Sequence, residues 1–150
     1  MCEPTDSCPR CDVLIDLPGL HVIAVERGPD TITVEVESAP GEGYCPDCGA
    51  LASSHGRRTR VLHDAPFGQT AMLIVWRTRT WLCHEDLCDR GCFTEQDPRI
   101  AAPRAVLTRR ATRWAVSQLR REHASVLGLA RQLGVDWKTM WRSLKPALGT

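Results

Sequence analysis

The sequence predicts an α+β protein: a β-hairpin module over residues 13–98, then a three-helix bundle over 99–150, after a short leader at 1–12. Three observations predict it. Apolar residues alternate with period two in the first half and recur with helical period after Pro98. Two close cysteine pairs, Cys45/Cys48 and Cys83/Cys88, have the spacing of metal knuckles. Charge is sharply divided. Residues 1–50 set Arg10 and Arg27 against ten acids, whereas 99–150 set nine Arg and two Lys against Glu122 and Asp136 alone.

Composition excludes several classes. At 150 residues the chain is one domain or two small ones. With 43% hydrophobic and 25% charged residues it is not wholesale disordered. Five Trp, two Phe and one Tyr can anchor small cores. The longest strictly apolar run, Ala71 to Trp76, is far short of the roughly 18 residues of a membrane span. The polar, acidic start Met1-Cys2-Glu3-Pro4 is no secretory signal. A cytoplasmic protein is expected, where eight Cys read as metal ligands or redox groups before disulfides.

The leader holds Cys2, Cys8 and Cys11 among Pro, Ser and Asp. Ile32, Val34 and Val36 alternate with Thr31, Thr33, Glu35 and Glu37, a half-buried strand. His21–Glu26 is its partner across the turn residues Gly28-Pro29-Asp30. A second pair spans His55–Leu62 and Gln69–Leu82, connected around Pro66-Phe67-Gly68. The Thr and Trp of Trp76–Trp81 favour strand over helix. Pro103 is a plausible start for the first helix. Leu107, Ala111, Trp114, Ala115, Gln118, Leu119 and Glu122 line its stripe. Ser125 caps a second helix that buries Val126, Leu129, Ala130 and Leu133 and stops at Gly134. Asp136 caps a third, burying Trp137, Met140, Trp141 and Leu144 and ending at Pro146.

Tyr44-Cys45-Pro46-Asp47-Cys48-Gly49 is a knuckle whose tight turn aims two thiolates at one metal. Cys83 and Cys88 lie where the second hairpin ends, so a sheet can bring the pairs together. Four thiolates around tetrahedral zinc make a closed structural site, with no open position for catalysis. In a module with a thin core, zinc binding becomes part of the folding free energy. Cys92 is within ligand spacing of Cys88 and is a possible substitute. His84, next to Cys83, reads as solvent-facing. Ordinary free thiols remain the alternative reading of the cysteines. Cys8-Pro9-Arg10-Cys11 is a further Cys-x-x-Cys, read as incidental, as a redox dithiol, or as a metal half-site with Cys2.

Ser125–Lys145 reads as a helix-turn-helix, whose second helix enters the major groove N-terminal end first. Lys138 and Thr139 are then candidates near base edges, and Arg142 for a guanine edge or phosphate, with Lys145 on the same exposed side. Arg109, Arg110, Arg113, Arg120 and Arg121 are candidate phosphate contacts. A plain three-helix bundle with a basic face is the competing reading.

Several motifs in order resemble the N-terminal part of the ISL-three insertion-sequence transposases. They are Cys45–Gly49, Ser54-His55-Gly56-Arg57-Arg58, Asp64-Ala65-Pro66, Arg79-Thr80-Trp81-Leu82-Cys83, Phe93-Thr94-Glu95-Gln96 and Ala124–Ala130. The resemblance covers about His21 to Leu148. It implies a zinc-ribbon-like finger with Cys45, Cys48, Cys83 and Cys88 as ligands to one structural zinc ion. It also implies a helix-turn-helix that binds the terminal inverted repeats of the element as double-stranded DNA. Such transposases continue into a ribonuclease-H-like domain whose carboxylates hold two divalent ions. Beyond Pro98 only Glu122 and Asp136 are acidic, and neither maps onto that site. The expectation is a cytoplasmic, nucleoid-associated binding fragment without catalysis, working as a homo-oligomer or beside full-length transposase. A decayed copy without function is a further reading. A zinc-ribbon transcriptional regulator and a thiol oxidoreductase using Cys8 and Cys11 are the functional alternatives.

Overall fold

The period-two segments join into one sheet. A computed structural model describes residues 8–149, so Cys2 lies outside the described residues. In chain order the elements are α1 (Pro9–Ile15), β1 (Leu20–Arg27), β2 (Thr31–Ser38), β3 (Gly43–Tyr44), β4 (Leu51–Phe67) and β5 (Thr70–Leu82). β6 (Cys92–Thr94), α2 (Arg109–Arg121), α3 (Val126–Leu133) and α4 (Trp137–Leu148) follow. The described strands form a six-stranded sheet in the order β1-β2-β5-β4-β3, with β6 paired to β5. Both expected hairpins are present, β1 with β2 and β4 with β5. They are fused by a parallel pairing of β2 with β5, in which Ile32, Val34 and Val36 stand opposite Met72, Ile74 and Trp76. All six are buried, so the alternation seen in each strand adds up to one apolar face.

That face is covered partly by residues 8–17, whose Pro and Cys give no helix signal. Cys8 caps α1, with its Sγ accepting from the Cys11 N–H at 3.4 Å, and Pro9 takes the first helical turn, where a missing N–H is harmless. Ile15 and Leu17 then enter the core beside Ile100 and Ala101. Asp12 reaches back to accept from the Val22 N–H at 2.7 Å and to meet His21 Nδ1 at 2.8 Å.

The three helices pack around Leu107, Ala111, Ala115, Leu129, Ala130, Leu133, Met140 and Leu144. Three helix details differ from expectation. The first helix starts not at Pro103 but after Thr108, whose Oγ1 accepts from the Ala111 N–H at 3.1 Å. Pro103 sits in the turns that lay Ile100 and Leu107 into the two cores. Pro146 lies inside α4, removing one hydrogen bond near its end without stopping it. Trp137 and Trp141, expected inside, are exposed, because Met140 and Leu144 fill the contact with the other helices. Ser125, Gly134 and Asp136 act as the sequence predicts: two N-caps and a left-handed C-cap at φ +74°.

β4 ties the two cores together. The His63 N–H donates to the Val106 carbonyl at 2.8 Å, its carbonyl accepts from the Thr108 N–H at 2.9 Å, and its Nδ1 meets the Leu133 carbonyl at 2.9 Å. Asp64 is fully buried. Its carboxylate accepts from Thr108 Oγ1 at 2.6 Å, the Ala65 N–H at 2.9 Å, and the Arg110 guanidinium, which also donates to the Ile15 carbonyl. Removing one partner of such a pair leaves the other uncompensated, at a cost of about 3–5 kcal/mol. Asp64→Ala and Arg110→Ala are each expected to lower the urea unfolding free energy by about that much. Because each removes the same interaction, the double variant should lose clearly less than the sum.

Candidate metal centre and nucleic-acid interface

Two turns deliver four sulfurs. In the first, the Cys45 N–H bonds the Ala50 carbonyl at 2.9 Å and the Gly49 N–H bonds the Cys45 carbonyl at 2.8 Å. Gly49, at φ +76°, supplies the left-handed residue that closes the turn. β3 and the start of β4 pair on either side of it. The second turn leaves β5 at Leu82. There the Cys83 N–H bonds the Gly91 carbonyl at 3.0 Å and the Cys88 N–H bonds the Glu85 carbonyl at 3.1 Å.

The Sγ atoms of Cys45, Cys48, Cys83 and Cys88 all lie within 4.8 Å of one another. Cys45 and Cys88 are 3.7 Å apart, and Cys48 and Cys83 3.6 Å. A disulfide needs about 2.05 Å. Four thiolates at about 2.3 Å from a tetrahedral zinc stand roughly 3.8 Å apart. The four cysteines fit one structural zinc ion, a closed all-sulfur set with no place for a reacting water. The electrostatics of the bare sulfurs fit the same conclusion. Burial opposes the Cys45 thiolate, yet the backbone N–H groups of Cys48 and Asp47, helped by the Cys48 and Cys88 side chains, bring it down to about 7. At Cys83 the Glu85 N–H favours the thiolate, but burial and the other three sulfurs together outweigh it and push the thiol up to about 12. Without a cation, four sulfurs this close cannot all ionise; a divalent ion at their centre removes that conflict.

Cys92 is outside the group, exposed on β6 opposite Leu82. His84 is also outside it, exposed with Nε2 2.6 Å from Ser53 Oγ. The pair Cys8 and Cys11 belongs to α1, away from this centre.

Arg79, Trp81 and Glu95 belong to the sequence motifs, and the fold gives them a role that their residue types do not announce. Arg79 donates to the carbonyls of Gly41 at 3.0 Å and Ser38 at 3.1 Å, and to that of Ala39, and its guanidinium lies 5.8 Å from the Trp81 ring centre. Glu95 accepts from the Arg79 N–H and from Ser38 Oγ, each at 2.7 Å. Together they fix the loop that carries the chain from β2 to the first knuckle. Gly43 presses on the Trp81 indole so closely that an added Cβ would fall 2.4 Å from it. A residue type alone carries no signal for such long-range clamps.

The helices present the second part of the candidate site. Lys138, Arg142 and Lys145, at offsets of four and seven, are exposed along one side of α4. Thr139 is half-buried and tied to the cap: its N–H and hydroxyl both donate to Asp136, each at 2.8 Å. Arg113 and Arg121 are exposed on α2. Arg109 is exposed with Nε donating to the Pro98 carbonyl at 2.5 Å, and Arg120 has one donor 3.4 Å from the Leu148 carbonyl. Arg110, expected as a phosphate contact, is instead held internally by Asp64 and the Ile15 carbonyl. Among the described residues, no helix is long and apolar enough to cross a membrane.

A zinc ribbon bonded to a helix-turn-helix defines a DNA-binding class of protein. Residues 42–88 match the family model for the zinc-finger of transposase IS204/IS1001/IS1096/IS1165, and residues 96–147 match the helix-turn-helix domain of transposase family ISL3. The chain belongs to the ISL3 transposase family and carries its DNA-binding modules. Both matches are to binding modules; none is to a catalytic domain. Searches of curated proteins and of solved structures returned no match.

Cys48→Ser is expected to abolish stoichiometric zinc, read by metal analysis, and to unfold the knuckle region in near-ultraviolet circular dichroism. Cys92→Ser should keep one zinc per chain. Zinc retained in Cys48→Ser but lost on adding Cys92→Ser would mean that Cys92 substitutes.

Proposed function

We propose that this chain recognises the terminal inverted repeats of its element, as a zinc-stabilised DNA-binding unit that performs no catalysis within these residues. The observation that carries the reading is α4. It follows α3 through the Gly134 turn and presents Lys138, Arg142 and Lys145 on one exposed side. In a helix-turn-helix this is the helix that enters the major groove. Lys138 lies at its leading end, near base edges, and Arg142 one turn on can take a guanine edge or a phosphate. Thr139 contributes through the cap it shares with Asp136. Arg109, Arg113, Arg120 and Arg121 are the phosphate contacts that set register. Arg110 drops out of that set, because its guanidinium is committed to Asp64.

In this reading Cys45, Cys48, Cys83 and Cys88 hold the zinc, which cross-links the end of β5 to the β3–β4 turn and does no chemistry. The two acids of the helical third do not form a two-metal site. Glu122 stands at the C-terminal end of α2 and Asp136 caps α4. Partners are double-stranded DNA and, on it, a second copy or a full-length transposase. The setting is the nucleoid.

Fluorescence anisotropy tests the reading, with zinc-loaded protein titrated into a duplex carrying the terminal repeat and into a scrambled duplex. Tighter binding to the repeat is expected. If about four phosphates are neutralised, log K should fall with log salt at a slope of about −3.6. Arg142→Ala should weaken binding with helix content unchanged. Equal, weak binding to both duplexes would leave only a basic surface.

A further inference from the structure

The two tryptophans of α4 are the large side chains that the fold leaves unused. Trp137 is 48% exposed and Trp141 38%. Their rings stack, with centroids 6.4 Å apart and planes 19° apart. Neither indole N–H has a hydrogen-bond partner among the described residues. Large aromatic side chains of this kind are suited to a contact, with an apolar body to bury and an N–H free to donate.

Charge identifies what makes it. Lys138, Arg142 and Lys145 project from the adjoining side of the same helix. Asp136, next to Trp137 in the chain, accepts from the Thr139 N–H and hydroxyl, and Arg142 is one of the groups that favour its charged form. An apolar face bordered by cations and almost no anions complements a surface that is anionic at its edges and apolar at points between. The major groove is such a surface: phosphates line it, and each thymine projects a methyl group into it. Position agrees as well. Trp137 is the first residue of α4, and N-terminal residues of a recognition helix are those that reach base edges.

We propose that Trp137, braced by the Trp141 ring stacked on it, reads DNA by packing its indole against thymine methyl groups, beside Lys138 and Arg142. The inference rests on the DNA-binding reading above and adds a specificity determinant to it. An indole on a methyl group contributes discrimination, whereas the cations contribute affinity for any sequence. The two kinds of residue should therefore separate experimentally.

The probe is a duplex recovered by the wild-type protein from a randomised pool, prepared also with deoxyuridine in place of thymidine. Uracil keeps the hydrogen-bonding edge and lacks only the methyl group. The wild type is expected to bind the thymine duplex about tenfold more tightly than the uracil duplex, the range of one good base contact. Trp137→Ala should bind both duplexes equally, at the level of the wild type on uracil, with an unchanged salt slope. Trp137→Phe should recover part of the preference, and Trp141→Ala should lose part of it. Thermal unfolding checks that the exposed substitutions leave the fold intact. The proposal is overturned if Trp137→Ala keeps the wild-type preference. It is equally overturned if the tryptophan variants leave DNA binding unchanged but convert a dimer to a monomer in sedimentation, which would give the face to a second copy. A wild type that recovers no preferred duplex would remove the reading of sequence-specific recognition, and this inference with it.

Discussion

The buried carboxylate of Asp64 is the constraint on which the arrangement of the molecule depends. It lies on β4, takes hydrogen bonds from the residue that caps α2 and from a guanidinium on that helix, and through that guanidinium reaches the end of α1. Three elements distant in sequence meet at one side chain. Apolar contact alone could hold them nearly as strongly, since buried ion pairs rarely outperform well-packed hydrophobic substitutes. Hydrogen bonds, however, are directional. The planar guanidinium and the carboxylate set the angle at which α2 leaves the sheet, which a patch of leucines would leave adjustable. The sheet thus serves as a fixed mount for the helix-turn-helix. The His63 contacts with Val106, Thr108 and Leu133 reinforce it along the same strand.

Zinc meets a different shortage. The apolar core under β2 and β5 reaches as far as Trp76, and the next buried residues of β5 are Thr78, Arg79 and Trp81. There the chain relies on Arg79 clamping carbonyls, on Glu95, and on Trp81 under Gly43. These fix the approach to the knuckles but not the knuckles themselves, which have little to bury. A four-sulfur site cross-links two segments separated by more than 30 residues where packing cannot. Coordination and packing therefore stabilise opposite ends of one sheet.

Much of this was legible in the sequence because it is local. Alternation in Thr31–Glu37, knuckle spacing in Cys45–Cys48, and caps at Ser125 and Asp136 each depend on a few neighbouring residues. The cysteine set was legible because metal chemistry restricts which residues can combine. What escaped was nonlocal. The parallel pairing of β2 with β5 has no signature in either strand. The helix at Pro9–Ile15 escaped because Pro and Cys are poor helix signals, although Pro9 and Cys8 occupy the two positions at a helix start that suit them. Pro103 misled for the converse reason: a good first-turn residue was passed over for a threonine that could also bond Asp64. The tryptophans misled because helical spacing marks a face as apolar without saying what covers it.

The division of charge acquires its meaning only with the partners in view. The arginines of the β-rich part are largely answered from within. Arg57 faces Glu37 at 2.8 Å, Arg90 faces Asp47 at 3.8 Å, and Arg77 faces Glu35 at 3.9 Å. Arg60 and Arg79 donate to backbone carbonyls. Such pairs are individually weak where exposed, but they cancel the field at a distance. On the helices, Lys138, Arg142, Lys145, Arg113 and Arg121 form no ion pair among the described residues. A net charge of +1 therefore coexists with a strongly positive face. An anionic duplex would be drawn to the helices and repelled by the acidic half, so the charge pattern orients the molecule before any base is read. Arg110 shows the limit of counting: it adds to the formal charge of the basic third, yet its charge is neutralised by Asp64 beneath the surface.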